Sequence, residues 1–221
     1  LPEIKRYDIS TVKGSVIVKD FSAEKFKMHL KSNKVNVIKI LPGGVVTAKD
    51  TAEIQLDENG EFVRNPEEDI VKVAVVERHQ GTGNVACGFL KGYGIKAGAV
   101  ALSIAHDSHN IIVVGVSDEE MEFAVNSLIA QEGGMVLVRE GKVLESMPMP
   151  IAGLMSDQSG EWVDEKLTAI HAKAYEELGI AGDVEPVMTL CFMSLAVIPE
   201  VKLTDMGLFD VTTFSFIPVE A

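Results

Sequence analysis

Two histidines and an aspartate lie close together in a short polar stretch of the sequence, residues 103–110. His106 and His109 are three positions apart, and Asp107 lies between them. Zinc, manganese and iron accept neutral imidazole nitrogens and carboxylate oxygens as ligands. An imidazole also titrates near neutral pH, so it can act as a general acid or base or contact a substrate. The stretch is therefore the candidate site of this chain.

The spacing of the two histidines sets a condition on any metal site. On a β-strand, His106 and His109 would point to opposite faces, so one ion could bind both only if the chain turns at residues 107–108. Further ligands would also be needed. Glu77 and His79, at the end of a neighbouring apolar segment, are the best candidates.

A purely structural role is the alternative for the polar stretch. Aspartate, serine and asparagine side chains commonly satisfy backbone N–H groups in turns, and Asp107, Ser108 and Asn110 fit that role. Such a turn does not require two histidines. A triad of Ser108, His109 and Asp107 is not predicted, because adjacent residues rarely reach one another and no nucleophile-elbow pattern surrounds the serine.

Apolar segments predict a scaffold around the polar stretch. Residues 97–102 are small and apolar, and residues 111–116 form a β-branched run typical of a strand that is buried on both faces. Residues 69–79 predict a third buried strand, which ends in charged side chains. Residues 81–83 resemble half of a dinucleotide-binding fingerprint, but the third glycine and the following helix are missing. We therefore expect a sheet that holds polar residues at its strand ends.

The remaining patterns predict hairpins, two long helices and further strands. Ser117 and Glu120 form a capping box that begins one helix, and a second helix runs from about Gly160 to Gly179. The other predicted elements are a strand at 15–18, a short helix at 23–26, hairpins at 34–47, 52–63 and 135–145, a long apolar strand or strand pair at 187–197, a turn at 203–210 and a strand at 214–217. The fold class is therefore α+β or α/β, a mixed sheet layered with a few helices and without a (β/α)₈ barrel.

The composition is that of an acidic globular chain. Its 221 residues are 47% hydrophobic and carry a net charge of −13, which disfavours nucleic acid and membrane surfaces as partners. We expect a single domain over residues 1–221, in which residues 1–33 are an N-terminal extension. The two cysteines, Cys87 and Cys191, lack a CxxC spacing and favour a reducing cytoplasm over a disulfide framework. The first residue is Leu1 and not methionine, as expected of a trimmed chain or a piece of a longer polypeptide.

Several blocks of sequence, in order, resemble the C-terminal domain of adenine deaminase. They are residues 75–79 with 81–83, 88–94, 105–110, 150–156, 199–205 and 207–210, and the resemblance extends from about residue 34 to the end. It implies a part of an amidohydrolase that acts in purine salvage and adenine catabolism. Such an enzyme hydrolyses adenine to hypoxanthine and ammonia with a metal-activated water.

The resemblance also implies where the metal binds. In this family a divalent ion (manganese, iron or zinc) is held by an N-terminal (β/α)₈ barrel with a His-x-His pair, whereas this sequence has five histidines and no His-x-His. We therefore expect no cofactor in this chain and no activity from it alone. Its partners would be that barrel and, in a homo-oligomer, further subunits, with adenine as the substrate of the whole enzyme.

Two other functions are open at this point. One is an interaction or oligomerisation module that buries the apolar segment 187–197 against the barrel or a second subunit. The other is a self-contained metal hydrolase, whose candidate residues are Glu77, His79, His106, Asp107 and His109. In a full-length adenine deaminase, we expect residues 106–110 to face the substrate opening of the barrel.

Overall fold

The computed structural model describes residues 8–221. Its strands are β1 (Lys34–Ile40), β2 (Thr47–Glu53), β3 (Gln55–Leu56), β4 (Phe62–Val63), β5 (Ile70–Val76), β6 (Val85–Lys91), β7 (Ala99–Leu102), β8 (Ile111–Gly115), β9 (Gly134–Arg139), β10 (Lys142–Pro148), β11 (Val201–Thr204), β12 (Gly207–Asp210) and β13 (Ser215–Ile217). Its helices are α1 (Asp118–Ala130), α2 (Gly160–Glu176) and α3 (Pro186–Cys191), with short 3₁₀ helices at Ser10–Val12 and Ala23–Phe26.

A mixed sheet of eight strands forms the centre of the fold. Its order is β10-β9-β7-β8-β5-β6-β1-β2, and all neighbours are antiparallel except β1 and β6, which run parallel. Every residue of β5, β7 and β8 is buried, as the apolar segments predict. The predicted mixed sheet with helices is confirmed. Over residues 8–221 the sheet stays open, with β10 and β2 as its edges.

Alternate residues of β5 face two different layers. Val73 belongs to an apolar cluster with side chains of α2, α3 and the small sheet β11-β12-β13. Ala74 belongs to a second cluster, which contains the inner side of α1 and Phe26. Because both faces of the sheet are covered, the residues of its central strands β5, β7 and β8 are apolar at every position except Lys72, instead of at alternate ones.

Both predicted long helices are confirmed, with one difference at the first. The Ser117 side chain accepts a hydrogen bond from the Glu120 N–H (3.3 Å), so it caps α1 as predicted. The Glu120 carboxylate, however, accepts from the Glu140 N–H (2.6 Å) on the β9–β10 turn. The helix is thus tied to a hairpin and not only to its own cap. Beyond the end of α2, Gly179 has a φ of +69°, the conformation expected of a helix-terminating glycine.

The predicted apolar strand at 187–197 is wrong. The segment begins as helix α3, with Pro186 in its first turn and the Glu185 side chain accepting from the Met188 N–H. An uninterrupted apolar run does not by itself distinguish a buried strand from a buried helix, whereas a proline at the first helical position is a helix signal. Tyr93 anchors the helix, because its buried hydroxyl donates to the Pro186 carbonyl (2.8 Å).

Two further predictions are corrected and the hairpins are confirmed. Residues 203–210 are not only a turn, because β11 and β12 pair there as a hairpin that β13 extends. Residues 15–18 do not form a strand of a sheet, although the Ile17 N–H donates to the Arg78 carbonyl (2.7 Å). The hairpins β1/β2, β3/β4 and β9/β10 form as predicted.

Candidate functional site

The link between β7 and β8 folds into a turn that brings the two histidine rings together. The His109 N–H donates to the Ala105 carbonyl (2.6 Å), and His109 has a φ of +52°. The ring centroids of His106 and His109 are consequently 5.2 Å apart, with an angle of 65° between the planes. The chain therefore meets the condition that both imidazoles lie on one side of the turn.

His106 is held from the opposite layer. Its N–H donates to the carbonyl of Cys191, the last residue of α3 (2.9 Å), and its ring packs on Phe192 with the centroids 4.8 Å apart. Phe192 is the C-cap of α3. The end of helix α3 therefore positions the His106 ring, although the sequence pattern had predicted a strand at residues 187–197.

Part of the polar stretch has the structural role that turn chemistry predicts. The buried Asn110 side chain accepts from the Arg78 N–H (3.3 Å), and the Asn110 N–H donates to the Ser108 hydroxyl (3.4 Å). Asp107 is exposed. Satisfying the turn explains Ser108 and Asn110, but it does not explain Asp107 or the two imidazoles.

Glu77 satisfies the loop that follows β5. One carboxylate oxygen accepts from the N–H groups of His79 (2.5 Å) and Gln80 (2.8 Å). The other accepts from the N–H (2.9 Å) and hydroxyl (3.0 Å) of Thr82. Burial opposes ionisation, but these hydrogen bonds outweigh it and lower the pKa of Glu77 to about 2. The N–H groups of His79, Gln80 and Thr82, which lie beside the fingerprint-like residues 81–83, are thus occupied by this carboxylate and do not face a nucleotide phosphate.

His79 connects the end of β5 to the turn. Its Nε2 lies 2.7 Å from the Ser108 carbonyl, while the residue itself is exposed. Glu77, His79 and the turn are therefore neighbours, as the sequence suggested. Within residues 8–221, however, no three His, Cys, Asp or Glu side chains are grouped so that they could hold one metal ion. The five candidate residues share a region without forming a set of ligands.

Arg78 is the residue of this site that sequence reasoning missed. It is 1% exposed, and its guanidinium donates to the carbonyls of His109 (2.5 Å), Ser15 (3.3 Å) and Ala152 (3.2 Å). Burial lowers its pKa from the ordinary value, and Glu77 opposes this effect. An arginine two residues after the buried strand β5 was the available signal, because a buried charge must find partners.

The environment of His109 favours the neutral imidazole. Burial is the main cause that lowers its pKa, and the nearby His106 and Arg78 lower it further, while Asp107 acts in the opposite direction. In the described part of the chain, the buried Nδ1 atom of His109 has no hydrogen-bond partner. This nitrogen therefore has an unused hydrogen-bonding position in the described part of the chain.

His171 lies outside this region. It is on α2, with a side chain 33% exposed, and its Nε2 is 2.5 Å from a carboxylate oxygen of Glu185. This pairing links α2 to the residue that caps α3, which is a structural role. None of the helices over residues 8–221 is both long enough and apolar enough to cross a membrane.

Comparisons with known proteins identify the family. Residues 44–215 match the family described as adenine deaminase C-terminal domain. Adenine deaminase 2 of Desulfotalea psychrophila is 67% identical over 221 residues, which are all of this chain and 38% of that protein. Adenine deaminase of Ligilactobacillus salivarius is 49% identical over 220 residues, again 38% of that protein. Adenine deaminase 2 of Carboxydothermus hydrogenoformans is 47% identical over 212 residues. The chain spans about 38% of the length of the first two relatives, and it belongs to the adenine deaminase C-terminal domain family.

Proposed function

We propose that this chain works as the C-terminal part of an enzyme that hydrolyses adenine to hypoxanthine and ammonia, and that the turn at residues 106–110 faces the adenine site. The family membership and the names of the relatives support the reaction. A divalent ion (manganese, iron or zinc) and the barrel that binds it would be supplied by the rest of the enzyme. The isolated chain is then inactive.

The observation that carries the role of the turn is the pair of imidazoles. The ring centroids of His106 and His109 are 5.2 Å apart, and both residues are only partly buried. Nδ1 of His109 has no hydrogen-bond partner among residues 8–221. A neutral imidazole offers one hydrogen-bond donor and one acceptor. Adenine presents ring nitrogens that accept and an amino group that donates, so its edge complements such a residue.

The path of the N-terminal segment supports the same orientation. The Val12 carbonyl accepts from the Ala152 N–H (2.9 Å), and the Ile17 N–H donates to the Arg78 carbonyl, so residues 12–17 run beside the turn. In a full-length enzyme, the polypeptide that precedes a C-terminal domain would connect through this segment. The rest of the enzyme would then approach the domain on the side of His109.

The substitution His109→Asn in the full-length enzyme tests the proposal. If the imidazole contacts adenine or the reacting water, kcat/KM for adenine should fall about 100-fold or more with the fold intact, as for loss of a general acid or base. The control is His29→Asn, whose side chain is 72% exposed and pairs with Glu61 instead of with the turn or α3, and this variant should leave kcat/KM unchanged. An unchanged kcat/KM in the His109 variant, with only a small loss of thermal stability, would refute the role of the turn.

An assay of the isolated chain tests whether catalysis requires the rest of the enzyme. Ammonia release from adenine should stay at background when the 221-residue chain is incubated with Mn²⁺, Fe²⁺ or Zn²⁺. Steady turnover would show instead that the chain has its own catalytic centre, and the self-contained hydrolase would replace our proposal.

Cysteine chemistry supports a reducing compartment, and we propose the cytoplasm. Cys87 and Cys191 are both free thiols. Burial raises the pKa of each to about 12, so they stay protonated and unreactive. Thiol labelling after unfolding without reductant should therefore count both cysteines, whereas a disulfide would leave none to label.

A second candidate function, an interaction module, is favoured by an exposed aromatic cluster on the small sheet. Phe209 lies between Phe214 and Phe216, each with its ring centroid 5.2 Å from that of Phe209. Phe214 is 74% exposed and Phe216 is 51% exposed. Such a cluster is suited to burial against the rest of the enzyme or another subunit of a homo-oligomer. Sedimentation of the full-length enzyme and its Phe216→Ser variant tests this, since a smaller assembly in the variant is expected.

A further inference from the structure

The Arg78 guanidinium connects three segments that are distant in the sequence. Nε donates to the carbonyl of His109 in the turn, Nη1 to that of Ser15 in the N-terminal segment, and Nη2 to that of Ala152 between β10 and α2. The backbone of Arg78 adds two more links, because its carbonyl accepts from Ile17 and its N–H donates to Asn110. One residue thus fixes the turn and the N-terminal segment relative to each other.

The partners of this buried charge are all uncharged. Among the ion pairs of residues 8–221, none involves Arg78, and the carboxylate of its neighbour Glu77 is turned toward the 79–82 amides. A buried cation without a carboxylate is a costly way to stabilise a fold, because the carbonyl dipoles must replace its hydration. Its contacts with three separate segments indicate that it fixes their geometry.

The site is also shaped to admit the guanidinium. Gly153 has a φ of +70°, and a Cβ at this position would lie 2.8 Å from Nη1 of Arg78. A side chain at position 153 would therefore displace the guanidinium. The acceptor carbonyls lie on three separate segments, and the planar fork of arginine directs a different nitrogen at each of them, whereas the ammonium group of lysine has a single nitrogen.

We infer that Arg78 is a positioning residue, which ties the N-terminal segment at residues 12–17 to the turn at residues 106–110 and so sets where the two imidazoles lie relative to the polypeptide before this domain. The inference rests on the proposed function for the catalytic importance of that placement. The tie itself rests only on the contacts of Arg78. The inference also assigns a role to the N-terminal segment, because the Ser15 carbonyl in this segment is one of the three acceptors of the guanidinium.

Arg78→Lys in the full-length enzyme tests the tie, because it keeps the charge but removes the fork. Hydrogen–deuterium exchange of peptides that cover residues 12–17 and 105–110 should accelerate about tenfold in both segments together. The control is Lys72→Met, which removes another buried cation near the opposite end of β5, where Lys72 donates to Phe26 and Asp118. This control should leave exchange in both segments as in the unmodified enzyme.

The kcat and KM of the same variants for adenine show whether the contacts of Arg78 affect catalysis. We expect kcat for adenine to fall about 10–100-fold in Arg78→Lys, with KM changed much less, because the imidazoles are misplaced in an otherwise folded site. Exchange that rises in only one segment, in neither, or equally in the Lys72 control would overturn the inference. Coupled exchange with unchanged kcat would leave the tie in place and refute the proposed function of the turn instead.

Discussion

Replacing Glu77 by glutamine tests how the end of β5 is held beside the turn. Glu77 is 7% exposed, and each of its carboxylate oxygens accepts two hydrogen bonds, from His79 and Gln80 on one side and from Thr82 on the other. Glutamine can place only one oxygen there. Its NH₂ group must then face backbone N–H groups, so we expect at least two of the four hydrogen bonds to be lost.

The pKa of Glu77 gives the magnitude. Burial raises it, but the hydrogen bonds from Thr82, Gln80 and His79 dominate and lower the pKa from 4.5 to about 2. One pKa unit corresponds to about 1.4 kcal/mol, so ionised Glu77 contributes up to about 3 kcal/mol to the free energy of unfolding. Glutamine retains some of the bonds, and we expect a loss of about 2 kcal/mol at pH 7.

The pH dependence of this loss has a definite sign. Because the pKa of Glu77 is lower in the folded chain than in the unfolded chain, its stabilisation is present above about pH 4.5 and disappears as the pH falls toward about 2. The difference in stability between the unmodified chain and Glu77→Gln should therefore shrink over that range. A glutamine does not titrate, so the variant lacks this part of the acid sensitivity.

Urea denaturation of the 221-residue chain between pH 3 and pH 7 measures both effects. In a separate thermal scan at pH 7, we expect the melting temperature to fall by about 4–8 °C, since about 1 kcal/mol corresponds to about 2–4 °C at this chain length. Glu53→Gln is the control, because Glu53 is an exposed carboxylate at the end of β2. A difference for Glu77→Gln that is below about 0.5 kcal/mol at pH 7, or constant down to pH 3, would refute the reasoning.

Three further substitutions test other parts of the structure. Tyr93→Phe removes the hydroxyl that donates to the Pro186 carbonyl (2.8 Å), and urea denaturation should show a loss of about 1–2 kcal/mol; no loss would mean that Tyr93 does not anchor α3. Ser103→Ala leaves the Gly134 N–H without its acceptor at 2.7 Å, so the same measurement should show about 2 kcal/mol less stability; a neutral result would contradict this contact. Phe214→Ser should change stability by less than about 0.5 kcal/mol while lowering binding of the dye ANS, and unchanged dye binding would show that this ring is not part of an exposed apolar surface.

The sequence alone determined the strands and the helix start that are specified by residues close together in the chain. The β-branched and small residues of β5, β7 and β8 predict strands buried on both faces, and both sheet faces are indeed covered. Ser117 predicts where α1 begins, because its hydroxyl accepts a hydrogen bond from the N–H of Glu120, three residues later in the sequence. The ordered blocks of residues from 75 to 210 likewise sufficed to identify the family, which residues 44–215 match.

Local patterns failed where several structures satisfy the same apolar pattern. Residues 187–197 are nearly all apolar, so hydrophobicity did not separate helix α3 from a strand. Pro186 was a local helix signal, and hydrogen bonds of the helix carbonyls with Tyr93 and His106 hold the helix in the fold. Similarly, β11 and β12 are too short for their alternation to stand out from a turn. Their pairing with each other and with β13 makes them strands.

At the candidate site, the sequence named the residues and the tertiary structure decided their roles. Glu77 looked like a ligand, but folding directs its carboxylate to three amides of its own loop. The sequence did not indicate a role for Arg78, because the carbonyls that its guanidinium contacts are 31, 63 and 74 positions away along the chain. The physical reason is that a buried charge must be satisfied wherever the fold brings acceptors to it, and such distant partners leave no pattern in the local sequence.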